Sequence, residues 1–239
     1  MKPIRISLLT FTLMAFVAGH AQTQPTKMEN ALTATEKNQG WQLLFDGKTL
    51  NGWHIYQNGP NNSWKIANGV LYSSGNVNQG DLLTNDQYKN FELSIDWKIA
   101  PGGNSGIMYL VSEQYKEPYL SGPEYQLVDD KGFPQKLEEW QHTGANYAMH
   151  APATLAANPV GEWNHTKIVV NNGHVEHWLN GVKVVDYQLG SDEWKKEKEK
   201  GKWKDAPGYG MNKEGHIALQ SNHAKSDGVW FKNIKIRKL

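Results

Sequence analysis

The sequence contains no cysteine, and neither sign of charge dominates it. The absence of cysteine excludes a disulfide framework, thiolate metal ligands, a cysteine nucleophile and a lipobox cysteine. Lys and Arg number 25 and Asp and Glu number 24, so the formal net charge is +1 with neutral histidines. This balance excludes a polycationic nucleic-acid-binding protein and a protein with a long acidic tail.

Several catalytic motifs are also missing. The sequence has no Gly-x-Ser-x-Gly nucleophile elbow, no phosphate-binding glycine loop and no histidine pair with the spacing of a zinc protease. What it does have is 23 Gly, 10 Trp, 10 Tyr and 6 Phe in 239 residues. The glycines indicate many turns, and the aromatic residues are numerous enough for a core or for a surface that stacks on sugar rings.

The N-terminus has the pattern of a secretory signal peptide. Lys2 and Arg5 precede a mostly apolar run, Ile6–Ala18, and the small residues Gly19 and Ala21 follow it. The run would span about 20 Å as a helix, which is shorter than the roughly 30 Å hydrocarbon core and disfavours an uncleaved anchor. We therefore expect a signal peptide over residues 1–21, cleavage after Ala21 and a periplasmic or secreted protein.

The rest of the chain divides into a polar segment and one domain. Residues 22–39 lack apolar periodicity, and we interpret them as a tether. Residues 40–239 are expected to form a single domain. No later segment approaches membrane-spanning length, so no membrane span is expected after signal cleavage.

The domain has the pattern of an all-β fold. Phe91–Ile99 alternates apolar and polar residues, as expected for a strand with one buried face. Asn172-Gly173 and Asn180-Gly181 separate three further strand patterns and predict tight hairpin turns. About a dozen candidate strands occur without strand–helix alternation. They predict a two-sheet antiparallel jelly-roll sandwich of the concanavalin A-like lectin and glucanase type.

One charged segment, Asp192–Lys204, departs from the strand pattern and predicts a short inserted helix. One interpretation is a basic flap beside a binding cleft, with Trp194 or Trp203 pointing inward. The alternative is a solvated helix that the two tryptophans hold in place.

The acidic residues near position 124 are the principal candidates for chemistry. Glu124 and Gln126 share one face of a strand, and a bulge after Gln126 would bring Asp129 to the same face. The spacing resembles the Glu-x-Asp-x-x-Glu strand of laminarinase-type retaining glucanases. Gln126 and the shorter Asp129 depart from that pattern, which needs two carboxyl groups about 5–5.5 Å apart. The alternative is a strand face with ordinary polar residues.

Other polar candidates lie in loops and turns. Asn104 and Ser105 follow two glycines; either is a candidate hydrogen-bond donor at a cleft, or both are part of a simple turn. His142, His150 and His223 lie in loop-like stretches from which they could reach the same face, because imidazole can act as a base near neutral pH. Three histidines of the hairpin strands are expected to be exposed: His165, His174 and His177.

Taken together, six spaced motifs resemble the 3-keto-disaccharide hydrolase domain family over roughly residues 40–239. The motifs are Phe45–Trp53, Gly103–Ile107, Glu124–Asp129, Gly161–Asn164, His177–Gly181 and Val229–Ile234. The resemblance implies a concanavalin-like jelly roll that acts on glycosides oxidised to a ketone at carbon 3. Many members have an arginine where Leu110 or Val111 stands here. The loop after Gln220 is altered, so His223 is only an approximate counterpart of a family histidine.

This implied chemistry suits the candidate residues. A ketone at carbon 3 acidifies the proton on carbon 2, and its removal gives an enolate that expels the glycosidic oxygen; water then adds to the enone. The route requires a base, a donor for the enolate oxygen and an acid for the leaving group. The hypothesis assigns Glu124 or His150 as the base and Asp129 as the acid or orienting group.

The substrate-binding candidates are Asn104, Gln126, His142 and His223. The sequence neither requires nor excludes a divalent ion, for which Glu124 and Asp129 would be the ligands. Two other classes stay open, a noncatalytic carbohydrate-binding protein and a conventional glycoside hydrolase. The expected partner in every case is a carbohydrate.

Overall fold

The structure, a computed structural model, describes residues 29–74, 80–221 and 228–239. The predicted signal peptide, residues 22–28 of the predicted tether and His223 lie outside the described residues. Within the described ranges, no helix combines the length and apolar character that crossing a membrane requires.

In the described part of the chain, thirteen strands and two α-helices are formed. The strands are β1 (Gln42–Leu43), β2 (Trp53–Ile55), β3 (Trp64–Ala67), β4 (Val70–Ser73), β5 (Leu82–Thr84), β6 (Phe91–Ile99), β7 (Asn104–Val111), β8 (Glu124–Val128), β9 (Asn164–Asn171), β10 (His174–Leu179), β11 (Val182–Gln188), β12 (His216–Leu219) and β13 (Val229–Lys238). The helices are α1 (Ala34–Asn38) and α2 (Asp192–Lys200).

The strands form two antiparallel sheets. The larger sheet has the order β11-β10-β9-β6-β13-β4-β3, with β1 also paired to β13, and the smaller has the order β2-β5-β12-β7-β8. Strands far apart in sequence are neighbours in both sheets, as in the pairs β6–β13 and β5–β12. This arrangement confirms the predicted two-sheet jelly-roll sandwich.

The predicted hairpins are present in the meander from β9 to β11. Asn172 and Gly173 connect β9 to β10 with φ of 51° and 79°, and Asn180 and Gly181 connect β10 to β11 with φ of 49° and 84°. Positive φ at both central residues gives a turn whose twist matches that of the flanking strands, which explains the choice of Asn-Gly.

The core lies between the two sheets. In β6, the residues predicted to face inward are almost completely buried; they are Phe91, Leu93, Ile95 and Trp97. Opposite them, the smaller sheet contributes Leu82, Ile107, Tyr125 and Leu219, which are also buried. The smaller sheet thus has one face fixed by the core, and its other face is available for a site.

Residues 29–39, which the sequence analysis interpreted as tether, lie instead against β13. Asn30 N donates to Asn233 Oδ1 at 2.7 Å, and Asn233 N donates to Asn30 Oδ1 at 2.9 Å. Glu36 of α1 forms an ion pair with Lys235. These contacts are made by amides and charges, so apolar periodicity could not reveal them.

The predicted inserted helix is confirmed as α2, and both of its candidate tryptophans are buried. Trp194 and Trp203 stack on Tyr209 with ring centroids 6.2 Å and 4.3 Å away and interplanar angles of 1° and 6°. Trp203 belongs to the 3-10 helix Lys202–Asp205 that follows α2, and its Nε1 donates to Tyr147 O at 3.1 Å. The insertion is therefore packed in place, and Lys202 is held at its inner end.

Candidate active site

The outer face of the smaller sheet carries a row of polar residues. The row follows the register across β5, β12, β7 and β8, with Asp81 just before β5 and Gln220 just after β12. Gly106 of β7 and Gln126 of β8 complete it, so three of its four residues are polar. Gln220 N donates to Gly106 O at 2.9 Å, and Gly106 is the register partner of Gln126. Because side chains alternate along a strand, this row faces away from the core residues one position along each strand.

A cavity of about 540 Å³ opens above this row. Its charged lining residues are Asp81, Glu117, Glu124 and Lys202. Its other polar lining residues are Asn104, Gln126, Gln220, Ser221, Tyr56, Tyr119 and Tyr147. The volume lies within the roughly 300–1,000 Å³ typical of small-molecule sites, so the cavity is large enough for a small-molecule ligand.

The Glu124 carboxylate lies over Gly106 of the neighbouring strand. A Cβ at residue 106 would lie 2.1 Å from Glu124 Oε1 and 2.8 Å from Glu124 Cδ. Real atoms do not approach so closely, so the space that glycine leaves is needed for this carboxylate. The second glycine of the Gly-Asn-Ser-Gly sequence therefore has a steric role at the site.

Glu124 is a buried acid of the cavity with a strongly raised pKa. Only 5% of its surface is exposed, and burial raises its pKa to about 8. The charge of Lys202 acts in the opposite direction, and the charge of Asp81 raises the pKa further. Among the described residues, no donor forms a hydrogen bond to its carboxylate, so the ionised form is a strong, available base.

Lys202 provides a cation at the rim of the same cavity. Its Nζ lies 4.5 Å from the ring centroid of Tyr147, 4.7 Å from that of Trp203 and 5.8 Å from that of Tyr119. Partial desolvation lowers the pKa of Lys202, and the Glu124 charge opposes this effect. The aromatic rings hold the ammonium group, and it forms no salt bridge within the described part of the chain, so it can bind an anionic oxygen of a ligand.

Asp81 is a second buried acid at the other end of the polar row. It precedes β5 and is 8% exposed. Burial raises the pKa of Asp81 to about 7, the Glu117 charge acts in the same direction, and a hydrogen bond from Ser221 N to Asp81 Oδ1 at 2.9 Å acts against it.

Two of the predicted binding residues lie beside Glu124. Gln126 Nε2 donates to Asn104 Oδ1 at 3.2 Å, and both side chains line the cavity. The structure therefore brings Asn104 of β7 beside Glu124 and Gln126 of β8. The strand pattern concerned only the shared face of Glu124 and Gln126.

Asp129 follows β8 and does not line this cavity. Its carboxylate accepts hydrogen bonds from the backbone amides of Gly102 at 2.8 Å, Lys131 at 3.2 Å and Gly132 at 2.8 Å. The pairing of β7 with β8 has no register shift, so it lacks the bulge that would direct Asp129 toward Glu124. Asp129 instead holds two turns together, and the structure does not bring it to Glu124 as a second ion ligand.

His142 and His150 also lie outside the cavity lining. His142 Nδ1 donates to Asp130 Oδ1 at 3.0 Å. His150 accepts a hydrogen bond from Asn146 Nδ2 at 3.1 Å and stacks on Tyr187 at 4.5 Å. Burial lowers the pKa of His150, which weakens it as a base.

His177, expected to be exposed, is completely buried between the sheets. His177 Nδ1 donates to Gly144 O at 2.9 Å, so Tyr109 Oη donates to His177 Nε2 at 2.8 Å. Tyr187 Oη then donates to Tyr109 Oη at 2.7 Å. Burial lowers the pKa of His177 to about 3, so this ring is neutral at ordinary pH.

A three-residue group with ligand-type atoms lies elsewhere, on the exposed β10–β11 hairpin: His174, Glu176 and Asp186. Lys183 Nζ already bonds to Glu176 Oε1 at 3.2 Å and to Asp186 Oδ2 at 2.5 Å. Because Lys183 bonds to two of the three residues and His174 Nε2 bonds to Asp186 Oδ1 at 2.8 Å, the cluster is an ion-pair network. None of its residues lines the cavity.

The sequence analysis missed Asp81 and Lys202 as site residues. Lys202 stands in a run of charges with no periodic apolar face, and Asp81 precedes a three-residue strand without a motif. Only the folded arrangement brings both side chains to the cavity that Glu124 lines. In the sequence, the position of Lys202 next to Trp203, near the end of the predicted helix, was a signal that this lysine could lie at a site.

Comparison with known proteins identifies the family. The sequence profile of the 3-keto-alpha-glucoside-1,2-lyase-like domain matches residues 40–237. A 3-keto-disaccharide hydrolase of Bacteroides thetaiotaomicron is 35% identical over 231 residues, covering 84% of this chain and 79% of the relative.

Solved structures agree with this relationship. A candidate glycosyl hydrolase from Parabacteroides distasonis ATCC 8503 is 42% identical, with a TM-score of 0.82 over 89% of this chain and 100% of that chain. Another from the same organism is 28% identical, with a TM-score of 0.66 over 83% of this chain and 99% of that chain. The chain therefore belongs to the 3-keto-alpha-glucoside-1,2-lyase-like domain family.

Proposed function

We propose that this protein is a carbohydrate hydrolase that cleaves the glycosidic bond of 3-keto-glycosides, with Glu124 as the base that removes the proton from carbon 2. The name of the Bacteroides thetaiotaomicron relative supports a carbohydrate hydrolase. The observation that carries the mechanism is the Glu124 carboxyl, which is buried, lies in the cavity and has no hydrogen-bond donor in the described part of the chain.

Glu124 has the properties that this proton transfer requires. A general base works best when its pKa is near the pH at which the enzyme operates, because a much weaker base removes the proton slowly. Burial brings the Glu124 pKa to about 8, close to that optimum. The carboxylate takes the proton from carbon 2, and the electron pair of the broken C–H bond moves into the carbon 3 carbonyl to form the enolate.

Lys202 would stabilise the enolate. Its ammonium group lies at the same cavity and carries the only positive charge among the described lining residues. A fixed cation aimed at a developing negative charge lowers the barrier without reorganisation of the site. Asn104 and Gln126 would bind sugar hydroxyl groups beside it. The enolate then expels the glycosidic oxygen from carbon 1, and water adds to the enone.

The test is product analysis of the purified protein with a 3-keto-glucoside and, separately, with the parent glucoside. Mass spectrometry and NMR should find cleavage of the keto substrate alone, and Glu124→Gln should abolish it. Glu214→Gln, at an exposed position outside the cavity, is the matched control and should retain full activity.

The alternatives give different results in the same experiment. Cleavage of the parent glucoside would indicate a conventional glycoside hydrolase that uses two carboxyl groups. Saturable sugar binding without cleavage of either compound would indicate a noncatalytic carbohydrate-binding protein. Each of these outcomes contradicts the proposal.

Export also remains part of the proposal, based on the signal-peptide pattern of residues 1–21. N-terminal sequencing of the protein from the cells that make it should give a first residue of Gln22. An intact Met1 would contradict export by cleavage.

A further inference from the structure

We infer that Asp81 is the second catalytic carboxyl of the cavity, which protonates the departing glycosidic oxygen and afterwards removes a proton from the water that attacks carbon 1. The inference rests on the proposed function, because it assigns the acid that the elimination needs. No pattern in the sequence marks this residue, and the argument comes from its position in the folded sheet.

The first step of the argument is distance across the sheet. Asp81 and Gly106 belong to the same cross-strand row, with Gln220 between them. Strands are spaced about 4.8 Å apart, so the two backbone positions are about 10 Å apart. The Glu124 carboxylate lies over Gly106. The two acids therefore flank one stretch of cavity, of a width that a sugar ring and its glycosidic bond can occupy.

The second step is the set of partners at Asp81. Its Oδ1 accepts a hydrogen bond from Ser221 N at 2.9 Å. The Ser221 hydroxyl lies beside the same carboxylate at the cavity wall and also lowers the Asp81 pKa. Ser221 therefore places both its amide and its hydroxyl at this carboxyl, which fixes its position at the cavity wall.

The third step is charge. Burial brings the pKa of Asp81 to about 7 and that of Glu124 to about 8, and the Asp81 charge contributes to the Glu124 value. Between these values the pair holds about one proton. The charged groups that face the two acids are Lys202, which lowers the Glu124 pKa, and Glu117, which raises the Asp81 pKa. Asp81 has the lower pKa, so this proton lies mainly on Glu124. The reactive form is the minor one, in which Glu124 is ionised and Asp81 carries the proton.

The atoms balance over the two stages. In the elimination, Glu124 takes the proton of carbon 2, the C1–O bond breaks with its electron pair on oxygen, and Asp81 gives its proton to that oxygen. In the hydration, water oxygen bonds to carbon 1, Asp81 takes the water proton, and Glu124 returns its proton to carbon 2. The sum is hydrolysis of the glycosidic bond, and both carboxyl groups return to their starting state.

The test compares two leaving groups in Asp81→Asn. The asparagine oxygen can still accept the hydrogen bond from Ser221 N, and thermal unfolding checks the fold. A 3-keto-glucoside with a sugar aglycone needs an acid, whereas a 4-nitrophenyl aglycone leaves without one. We expect kcat/KM to fall by about 10²–10³-fold for the sugar aglycone and by less than about tenfold for the nitrophenyl compound. Asp86→Asn, an exposed position, is the control.

Other outcomes would overturn the inference. Equal losses for both leaving groups would make Asp81 a binding or structural residue, and an unchanged rate for the sugar aglycone would remove it from the reaction. The wild-type protein provides a readout that needs no variant, because a steep dependence of rate on leaving-group pKa would contradict acid assistance. Failure of the proposed function is separately visible, since the wild type would then neither cleave 3-keto-glucosides nor exchange the carbon 2 proton in heavy water.

Discussion

Two groups of buried titratable side chains lie on opposite faces of the smaller sheet, and they differ in how their polar atoms are satisfied. Between the sheets, His177 and Tyr109 belong to a chain in which each ring nitrogen has a partner. In the cavity, Glu124 has no hydrogen-bond donor in the described part of the chain. Burial shifts the pKa in both groups. A shifted pKa alone therefore does not identify a reactive group. A reactive group also has access to a cavity and a charged form that no hydrogen-bond donor satisfies.

The largest loss of activity is expected from Glu124→Gln, in the cavity. Removing a general base costs about 10²–10⁴-fold in rate, so kcat should fall by at least about 10³-fold while KM changes little. Steady-state kinetics on a 3-keto-glucoside checks this prediction. A variant that keeps more than a tenth of the wild-type kcat would remove Glu124 from the role of base.

The same substitution should stabilise the protein at alkaline pH. Folding raises the Glu124 pKa from 4.5 to about 8. The neutral carboxyl is therefore buried without the penalty of a buried charge below pH 4.5, and the free energy of unfolding falls as pH rises from 4.5 to about 8. Glutamine removes this loss. The melting temperature at pH 9 should rise by roughly 5 °C relative to wild type, and the two proteins should differ much less at pH 4. A lower melting temperature of the variant at pH 9 would contradict the burial of a charged carboxylate.

Gly106→Ala, on the neighbouring strand, should displace the Glu124 carboxylate. The added Cβ would lie 2.1 Å from Glu124 Oε1 and must displace it, so we expect a loss of about 10²-fold in kcat, as a 1 Å misplacement of a catalytic group can cause. Gly59→Ala is the control, because the nearest atoms to its added Cβ are at an ordinary 3.4 Å. Equal activity of the two variants would show that the carboxylate does not need this position.

Lys202→Met tests whether the Lys202 charge stabilises the enolate, and its expected loss of activity is smaller. We expect kcat to fall by roughly 10–100-fold, since the enolate loses one stabilising charge. The kcat/KM profile should rise with pH as Glu124 ionises, and its rising limb should move to higher pH in the variant because Lys202 lowers the Glu124 pKa. Lys202→Arg should restore part of both properties. A rising limb at the same pH in the variant and the wild type would show that the Lys202 charge does not influence the Glu124 pKa.

The smallest effect on activity is expected on the core side. In His177→Leu, the Tyr109 hydroxyl loses its acceptor in the core, which should lower the free energy of unfolding by about 1–3 kcal/mol. The kcat of the folded protein should stay within about twofold of wild type. Chemical denaturation and kinetics measure the two quantities, and a large loss of kcat in a folded variant would connect the histidine cluster to the chemistry.

The same contrast explains what could be predicted from the sequence. Strand alternation in Phe91–Ile99 and the Asn-Gly turns report local backbone preferences, so the sandwich could be predicted. Glu124 and Gln126 share a face by strand period alone, so their association was also predictable. Asp81 and Lys202 line the same cavity as Glu124 because of long-range strand pairing and an inserted helix, respectively, which no local period encodes. His177 shares a strand face with the buried Val175 and Leu179, so the two-residue period indicates burial, and the expectation of exposure followed the polar residue type instead.

The most direct test of the account is hydrogen exchange at carbon 2 of a 3-keto-glucoside in heavy water, followed by NMR with the wild type and with Glu124→Gln. If Glu124 is the base, the wild type should introduce deuterium at carbon 2 during turnover, and the variant should introduce none above the background without protein. Exchange by the variant at the wild-type rate would contradict the account, because the base would then be a different group.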